Sequence, residues 1–222
     1  MKIVIFEPHP DDLLFGTGHI IFDWINQGHD IHVITITDGR ACLRKTPELA
    51  SKISEDQMAE MRTNEAKKAI EFLGLNQENL HLLYFPDGDG QKYVNEAIEK
   101  VKPLIQDADR LFLPSDNNLH VDHQATHDIA KRAAKELNLK NIEYWVYFVP
   151  QYGRFDEDSA ENLVEIELSE EKRKKLQEWL QIYQSQKLIK MTWKLYTRYL
   201  KYTKKMKYAI YTFEDMGKYH NF

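Results

Sequence analysis

The sequence contains a single cysteine, Cys42, among its 222 residues. One cysteine excludes an internal disulfide and any metal site built mainly from thiolates. No stretch approaches the roughly 20 apolar residues of a transmembrane helix, so we expect no membrane span. The short apolar run within residues 1–7 also falls short of the core of a secretory signal, which needs about 7–15 apolar residues. These absences together predict a cytoplasmic protein.

Basic residues are fewer than acidic residues. The chain has 30 lysines and arginines against 35 aspartates and glutamates, a formal net charge of −5. This balance argues against nucleic acid as a partner. The hydrophobic fraction of 42% and the charged fraction of 29% are typical of a globular protein. The length fits one large domain, or one domain with an appendage.

Strand-like and helix-like segments alternate along the first two thirds of the chain. We predict strands at 2–6, 31–37, 80–85, 110–113 and 142–149, and helices at 13–27, 57–73, 95–105 and 122–137, with a loop at 40–56. Such alternation is typical of βαβ units, and it predicts an α/β fold with a mostly parallel sheet between helices.

The pattern changes after residue 150. Residues 163–168 alternate as in an edge strand, and a long helical segment is expected from about 170 towards 205, with interruptions allowed. We therefore divide the chain into an α/β catalytic domain at 1–150 and a C-terminal strand with a helical extension at 151–222, packed on the same domain. The loops at 40–56 and 150–162 are expected to select the substrate.

The C-terminal segment from Gln186 to Tyr208 carries eight basic residues and no acidic one. We expect its apolar stripe to pack on the core; the stripe consists of Leu188, Met191, Leu195, Tyr202 and Met206. The alternative is that the segment, from about Lys187 to Lys207, contacts a phosphorylated substrate, an anionic membrane surface or an acidic face of a second subunit.

Two clusters of histidine and aspartate follow predicted strands. They are Pro8-His9-Pro10-Asp11-Asp12 after the first strand and His120-Val121-Asp122-His123 after the fourth. Open α/β sheets bind ligands beyond the carboxyl ends of their strands, and imidazole and carboxylate are zinc ligands. Each aspartate taken alone is better explained as a helix cap. The coincidence of two clusters favours a joint metal site.

Gly16-Thr17-Gly18 follows the same first strand and allows a dinucleotide-binding interpretation. Ile21 occupies the position of the expected third glycine. Close packing of a helix on the sheet therefore explains the two glycines better.

With these motifs in place, the sequence resembles the LmbE/PIG-L type of zinc-dependent N-deacetylases. The resemblance covers roughly residues 1–137 and rests on the two clusters and on weaker matches at Thr37-Asp38-Gly39, Arg62-Thr63-Asn64-Glu65, Leu73-Gly74 and Pro86-Asp87-Gly88, with a faint one at Tyr183-Gln184-Ser185-Gln186. It implies a Rossmann-like fold and hydrolysis of an N-acyl group, usually the N-acetyl group of a glucosamine unit.

The resemblance also implies roles for individual residues. Zn²⁺, or another divalent metal, is expected on His9, Asp12 and His123. Asp11 is implied as the general base, His120 as the residue that stabilises the oxyanion or protonates the amine, and Asp122 as the residue that orients His120; Arg62 and Asp87 are expected near a small N-acylated substrate.

Two departures from the family pattern are visible. Leu13 stands where the first motif commonly continues with a glutamate, and Asn118 stands where several relatives carry a tyrosine. Two other functions stay open: a non-catalytic module that binds carbohydrate or another small molecule, and a non-heme iron enzyme, because two histidines and a carboxylate also form the iron facial triad. The sequence leaves a homo-oligomer equally open.

Overall fold

The computed structural model describes residues 1–149, 162–218 and 222. The strands are β1 (Lys2–Glu7), β2 (Asp30–Thr37), β3 (Leu80–Phe85), β4 (Arg110–Pro114), β5 (Glu143–Tyr147), β6 (Leu163–Glu167) and β7 (Lys205–Tyr211). The helices are α1 (Asp12–Thr17), α2 (Ile21–Asn26), α3 (Pro47–Ala50), α4 (Glu55–Phe72), α5 (Val94–Ile105), α6 (Val121–Glu136), α7 (Glu170–Leu180), α8 (Gln184–Leu188) and α9 (Lys190–Tyr202).

The seven strands form one sheet in the order β3-β2-β1-β4-β5-β7-β6. Strands β1 to β5 pair in parallel, and β7 runs antiparallel to both of its neighbours. This architecture confirms the predicted α/β class with a mostly parallel, Rossmann-like sheet. The chain order reverses between β1 and β4, which is the switch point where such sheets bind ligands.

Helices cover both faces of the sheet. The alternating residues of β1 divide between two cores: Ile3 and Ile5 face one, and Val4 and Phe6 face the other. The first core is built with α1, α2, α4, α7 and α9, and the second with α5 and α6. Because α7 and α9 pack in the same core as α1, the C-terminal elements are part of the body that positions the switch point. The expected boundary at 150 and the loop at 150–162 fall largely outside the described residues.

Two predicted elements near the N-terminus are wrong in detail. The predicted helix at 13–27 is two short helices, α1 and α2, interrupted between Gly18 and Ile20. The predicted loop at 40–56 contains a 3₁₀ turn at Arg40–Lys45 and the helix α3, which begins at Pro47. Pro47 suggested a loop because proline disrupts the interior of a helix, but proline is well tolerated in the first turn of a helix.

The C-terminal segment differs most from its prediction. The expected helical segment, for which interruptions were allowed, consists of the three helices α7, α8 and α9, and residues 205–211 form the unpredicted strand β7 between β5 and β6. Of the stripe expected to pack on the core, Leu188, Met191, Leu195 and Tyr202 are exposed. The buried side chains of α9 are instead Tyr196 and Leu200. The expected packing of that stripe is therefore wrong, and only Met206, which lies in β7, is buried.

The glycine pair after β1 serves close packing. A Cβ atom on Gly16 would lie 2.6 Å from the ring of Tyr147, and one on Gly18 would lie 2.5 Å from the carbonyl oxygen of Leu14. Among the described residues, none belongs to a helix long and apolar enough to cross a membrane.

Candidate active site

The two histidine and aspartate clusters meet beyond the carboxyl ends of β1 and β4. Residues 8–12 form a tight turn, in which the Asp12 amide donates to the His9 carbonyl over 3.1 Å. His120 caps the N-terminus of α6. The ring of His9 lies 4.7 Å from that of His120 and 5.3 Å from that of His123, centre to centre. Side chains more than 100 positions apart thus share one pocket.

The three predicted metal ligands converge. Asp12 Oδ2 lies 2.9 Å from His9 Nδ1 and 3.3 Å from His123 Nε2, and the three donor atoms all lie within 4.8 Å of one another. A tetrahedral zinc ion with bonds of about 2.0–2.2 Å separates its donors by about 3.3–3.6 Å. All three residues are buried. The donor set and its spacing therefore fit a zinc-sized divalent cation.

A second group of metal-ligating atoms uses the other nitrogen of His9. His9 Nε2 lies 3.2 Å from Asp87 Oδ1 and 3.2 Å from Asp122 Oδ2, and His120 completes the group. A histidine that ligates a metal commonly directs its other ring nitrogen at a carboxylate, which fixes the ring. Asp87 and Asp122 lie where such outer partners of His9 would lie.

Negative charge is concentrated in this pocket. Four carboxyl side chains and one guanidinium are buried in the cavity or directly behind it: Asp11, Asp12, Asp87, Asp122 and Arg62. Buried charges of one sign are costly unless a counter-charge compensates them. A divalent cation would supply that compensation.

The neighbouring charges also shift the pKa values of the histidines. Burial disfavours a charged His9, but Asp87, Asp12 and Asp122 hold its pKa well above the ordinary value. Burial and the neighbouring His9 and His123 lower the pKa of His120 to about 4. His120 Nδ1 accepts a hydrogen bond from the Asp122 amide over 3.4 Å. The neutral ring therefore carries its proton on Nε2.

Asp11, adjacent to the ligand set, is held from two sides. Its Oδ1 pairs with the guanidinium of Arg62, and its Oδ2 accepts a hydrogen bond from the Tyr196 hydroxyl over 2.6 Å. Arg62 also donates to the carbonyl oxygen of Gly39 over 2.9 Å. Arg62, which was expected near the substrate, thus lines the cavity, and its hydrogen bonds go to Asp11 and to the backbone.

Asp122 is engaged with the loop after β3 rather than with His120. Its carboxylate accepts from the amides of Gly88 and Gly90, at 2.7 Å and 2.8 Å, and lies 3.8 Å from His120 Nδ1, outside hydrogen-bond range. The backbone amide of Asp122, and not its carboxylate, hydrogen-bonds the His120 ring. The carboxylate therefore anchors the segment that carries Asp87, whose own Oδ2 accepts from the Ala41 amide over 3.0 Å.

One cavity connects these groups to solvent. It is lined by His9, Asp11, Asp12, Ala41, Cys42, Arg62, Asp87, Gly88, His120, Gln186, Thr192 and Tyr196. Every predicted site residue lines it except His123 and Asp122, which lie buried behind it.

The positions that depart from the family pattern both lie beside the ligands. The Leu13 side chain is buried in the core, while its amide donates to Glu7 Oε2 over 2.9 Å. Asn118 Oδ1 accepts from the His120 amide over 2.8 Å, and its Nδ2 lies 3.2 Å from His123 Nδ1. Asn118 therefore contacts the backbone of one histidine and the ring of the other.

Several site residues escaped prediction from the sequence. Tyr196 and Thr192 come from α9, more than 170 positions after Asp11, and Gln186 of α8 had only the faint family match at 183–186 as a signal. Nothing in the pattern of α9 distinguishes the residues that line a cavity from those that pack in the core. Glu7 ends β1 with its carboxyl buried, accepting from the Thr35 hydroxyl over 2.6 Å; its place at the end of a strand was the one available signal.

Glu7 makes the stability of the metal-free protein depend on pH. Burial raises the pKa of Glu7 to about 8. Because the unfolded chain ionises near the ordinary value of 4.5, the native state binds more protons between these values and loses stability as the pH rises. We expect this carboxyl to contribute a fall of about 3 kcal/mol in the unfolding free energy between roughly pH 5 and pH 8, and Glu7→Gln to remove that contribution in denaturant titrations.

The control for this prediction is Glu78→Gln. Glu78 is an exposed glutamate outside the core, so its variant should reproduce the wild-type pH dependence. Parallel curves for Glu7→Gln and the wild-type protein would show that the buried carboxyl is not responsible.

Comparison with known proteins finds a family model and several named deacetylases that the chain resembles. Residues 4–134 match the family model described as PIG-L, GlcNAc-PI de-N-acetylase. The diacetylchitobiose deacetylase of Thermococcus kodakarensis is 27% identical over 147 residues, which cover 64% of this chain and 52% of that protein. The 1D-myo-inositol 2-acetamido-2-deoxy-alpha-D-glucopyranoside deacetylase of Kineococcus radiotolerans is 34% identical over 91 residues, 41% of this chain and 24% of that protein. The chain thus spans about half or less of the relatives that it matches.

The fold has a close structural counterpart. The deacetylase of the teicoplanin biosynthesis pathway, solved as a bog complex, superposes with a TM-score of 0.75 at 16% identity, over 96% of this chain and 98% of that one. At this identity the likeness concerns the fold.

Proposed function

The chain belongs to the PIG-L family of GlcNAc-PI de-N-acetylases, and from that premise we propose that it is a zinc-dependent hydrolase that removes an N-acetyl group from a glucosamine-containing small molecule. The observation that carries the proposal is the convergence of His9, Asp12 and His123 beside Asp11, at the wall of a cavity that His9, Asp11 and Asp12 line. Both relatives described above act, by their names, on acetamido sugars.

In this proposal His9, Asp12 and His123 hold the cation. When bound, a divalent zinc ion would polarise the amide carbonyl and lower the pKa of a water molecule. An amide needs this help because its carbonyl is weakly electrophilic.

Asp11 serves as the general base and takes a proton from the attacking water. Arg62 and Tyr196 hold its two oxygens, so the carboxylate keeps a fixed orientation towards the cavity. Fixed geometry of this kind lowers the reorganisation needed in the transition state.

His120 faces the cavity with a proton on Nε2 and donates a hydrogen bond to the developing oxyanion. A neutral imidazole is an adequate donor for this purpose. The proton that Asp11 has taken from the water then passes to the departing nitrogen, because a neutral imidazole holds its single N–H proton too tightly to release it. The products are a free amine and a carboxylate such as acetate.

The Tyr196 hydroxyl provides a prediction that separates positioning from metal binding. We expect Tyr196→Phe to lower kcat by about tenfold, because one of the two hydrogen bonds that orient Asp11 is lost, with zinc content unchanged. The matched control is Tyr199→Phe in the same helix, whose hydroxyl contacts Met206 rather than Asp11. Loss of zinc from Tyr196→Phe, or an equal loss of kcat in both variants, would contradict this role.

The proposed function is tested by acetate release from N-acetylated sugars. Purified, zinc-loaded protein is incubated with diacetylchitobiose, N-acetylglucosaminyl-inositol and nucleotide-linked N-acetylglucosamine, and acetate and free amine are quantified together. We expect equal amounts of both from at least one of these compounds. Binding without release would instead indicate a sugar-binding module, and oxygen consumption by the ferrous form would indicate an iron enzyme. Cytoplasmic location and oligomeric state stay predictions.

A further inference from the structure

The exposed face of α8 and α9 combines apolar and basic side chains. Leu188, Met191, Leu195 and Tyr202 are 46%, 66%, 48% and 65% exposed. They account for four of the nine large hydrophobic side chains recorded as exposed among the described residues. Contiguous exposed apolar side chains on a folded protein mark an interaction surface more often than chance.

The apolar side chains share one side of α9. A helix turns about 100° per residue, so Met191, Leu195 and Tyr202 lie within about 40° of one another. The basic residues of α9 occupy the adjoining sector, and they are Lys190, Lys194, Arg198 and Lys201. Lys187 of α8 adds a fifth positive charge. We call these apolar and basic residues the α8–α9 face.

The positive charge of this face is not neutralised within the part of the chain that the structure describes. None of its five basic residues forms an ion pair there. From residue 186 to 208 there is no acidic residue at all. A polar surface that needed only to be solvated would not require one sign of charge beside exposed leucine and methionine.

The face also adjoins the entrance of the cavity. Thr192 and Tyr196 of the same helix line that cavity. Exposed apolar side chains likewise flank the cavity residue His120, since Leu119 is 75% and Val121 is 44% exposed. The cavity therefore opens beside exposed apolar side chains.

We propose that the α8–α9 face binds the surface of an anionic phospholipid bilayer. Its apolar side chains would enter the boundary between head groups and acyl chains, while its basic side chains contact lipid phosphates. This places the cavity at the membrane surface. The proposal does not rest on the proposed function, because vesicle binding is measured without turnover.

The same observations disfavour the other occupants. A two-fold symmetric dimer through this face would place it against its own copy, with five positive charges on each side. Nucleic acid would satisfy the basic residues but would leave Met191 and Leu195 in contact with phosphate and water. A bilayer with anionic head groups satisfies both kinds of side chain.

The test is co-sedimentation of the full chain with vesicles. One set contains phosphatidylcholine alone, and in the other about a third of the lipid is phosphatidylglycerol. We expect binding to the anionic set only, weakened at least about tenfold when NaCl is raised from about 0.05 to about 0.5 M. Absence of binding to anionic vesicles at low salt would overturn the proposal.

Paired variants identify the face. Lys190→Glu/Lys194→Glu is expected to reduce vesicle affinity by at least about tenfold, and Met191→Ser/Leu195→Ser by several-fold, with little effect on folding because all four side chains are exposed. The matched control is Lys67→Glu/Lys68→Glu, which changes the same charge on the exposed side of α4 and should lower affinity by less than about twofold.

Three outcomes count against the proposal. An equal loss in the α4 control would show attraction to net charge rather than to this face. Unchanged binding by both α8–α9 variants would place the contact elsewhere. Concentration-dependent self-association that disappears in Met191→Ser/Leu195→Ser would show that a second copy covers the face.

Discussion

Asp11→Asn is expected to lower kcat by about 10²- to 10⁴-fold, the range that a general base contributes. Asparagine keeps an oxygen for the Arg62 guanidinium but cannot take a proton from water. Because Asp11 is not one of the ligands, zinc content should be unchanged. The measurement pairs acetate release with metal analysis of the same sample.

Two checks make that result interpretable. Asp128→Asn, on the exposed side of α6, should retain full activity and controls for the chemistry of the substitution. Thermal unfolding of Asp11→Asn establishes that the buried Arg62, with a weaker partner, has not unfolded the protein. A folded, zinc-loaded Asp11→Asn with wild-type kcat would remove Asp11 from the role of base.

His123→Ala is expected to abolish stoichiometric zinc binding, and with it activity. The substitution deletes one of three protein ligands, and the remaining two hold a zinc ion far more weakly. His120→Ala, three residues earlier, belongs only to the second group of metal-ligating atoms. We expect that variant to keep zinc within about tenfold of the wild-type affinity, the lower end of outer-partner effects, while kcat falls.

The pair of variants decides between the two groups around His9. Both substitutions remove an imidazole from the same short segment, so a general disturbance of the segment would affect them alike. Zinc retained by His123→Ala and lost by His120→Ala would move the ion to the group formed by His9, Asp87, His120 and Asp122.

The sheet and its switch point could be predicted from the sequence because their signals are local. Buried parallel strands such as β1 and β2 are rich in isoleucine and valine, and Gly74 ends α4 with the positive φ that glycine favours. The two histidine and aspartate clusters were predictable for the same reason, since each is a short motif in the segment that joins a strand to the next helix. Their meeting then follows from the geometry of a parallel sheet.

The C-terminal part was less predictable because its structure depends on distant contacts. The basic residues from Lys187 to Lys205 are spaced as on a helix, yet residues 205–211 form β7, which pairs with β5 and β6 on either side. Within β7, Lys205 and Lys207 alternate with the buried Met206 and Tyr208, which is a strand pattern too short to stand out beside the helical one. Tyr196 could not be predicted for a similar reason, because its hydroxyl donates to Asp11, which lies 185 positions earlier in the chain.

The stripe on α8 and α9 shows a different limit. The spacing of Met191, Leu195 and Tyr202 correctly describes one side of a helix, but periodicity does not tell which side faces the core. Tyr196 and Leu200 fill that role. An amphipathic pattern on a helix with two apolar sides therefore predicts a partner surface as readily as a buried one.

The central claim, that His9, Asp12 and His123 bind one catalytic zinc ion, is tested most directly by X-ray diffraction from the zinc-loaded protein at the zinc absorption edge. We expect one anomalous peak, bonded to His9 Nδ1, Asp12 Oδ2 and His123 Nε2 at about 2.0–2.2 Å. A peak coordinated by Asp87, His120 and Asp122 instead, or no peak in protein that releases acetate, would contradict the account.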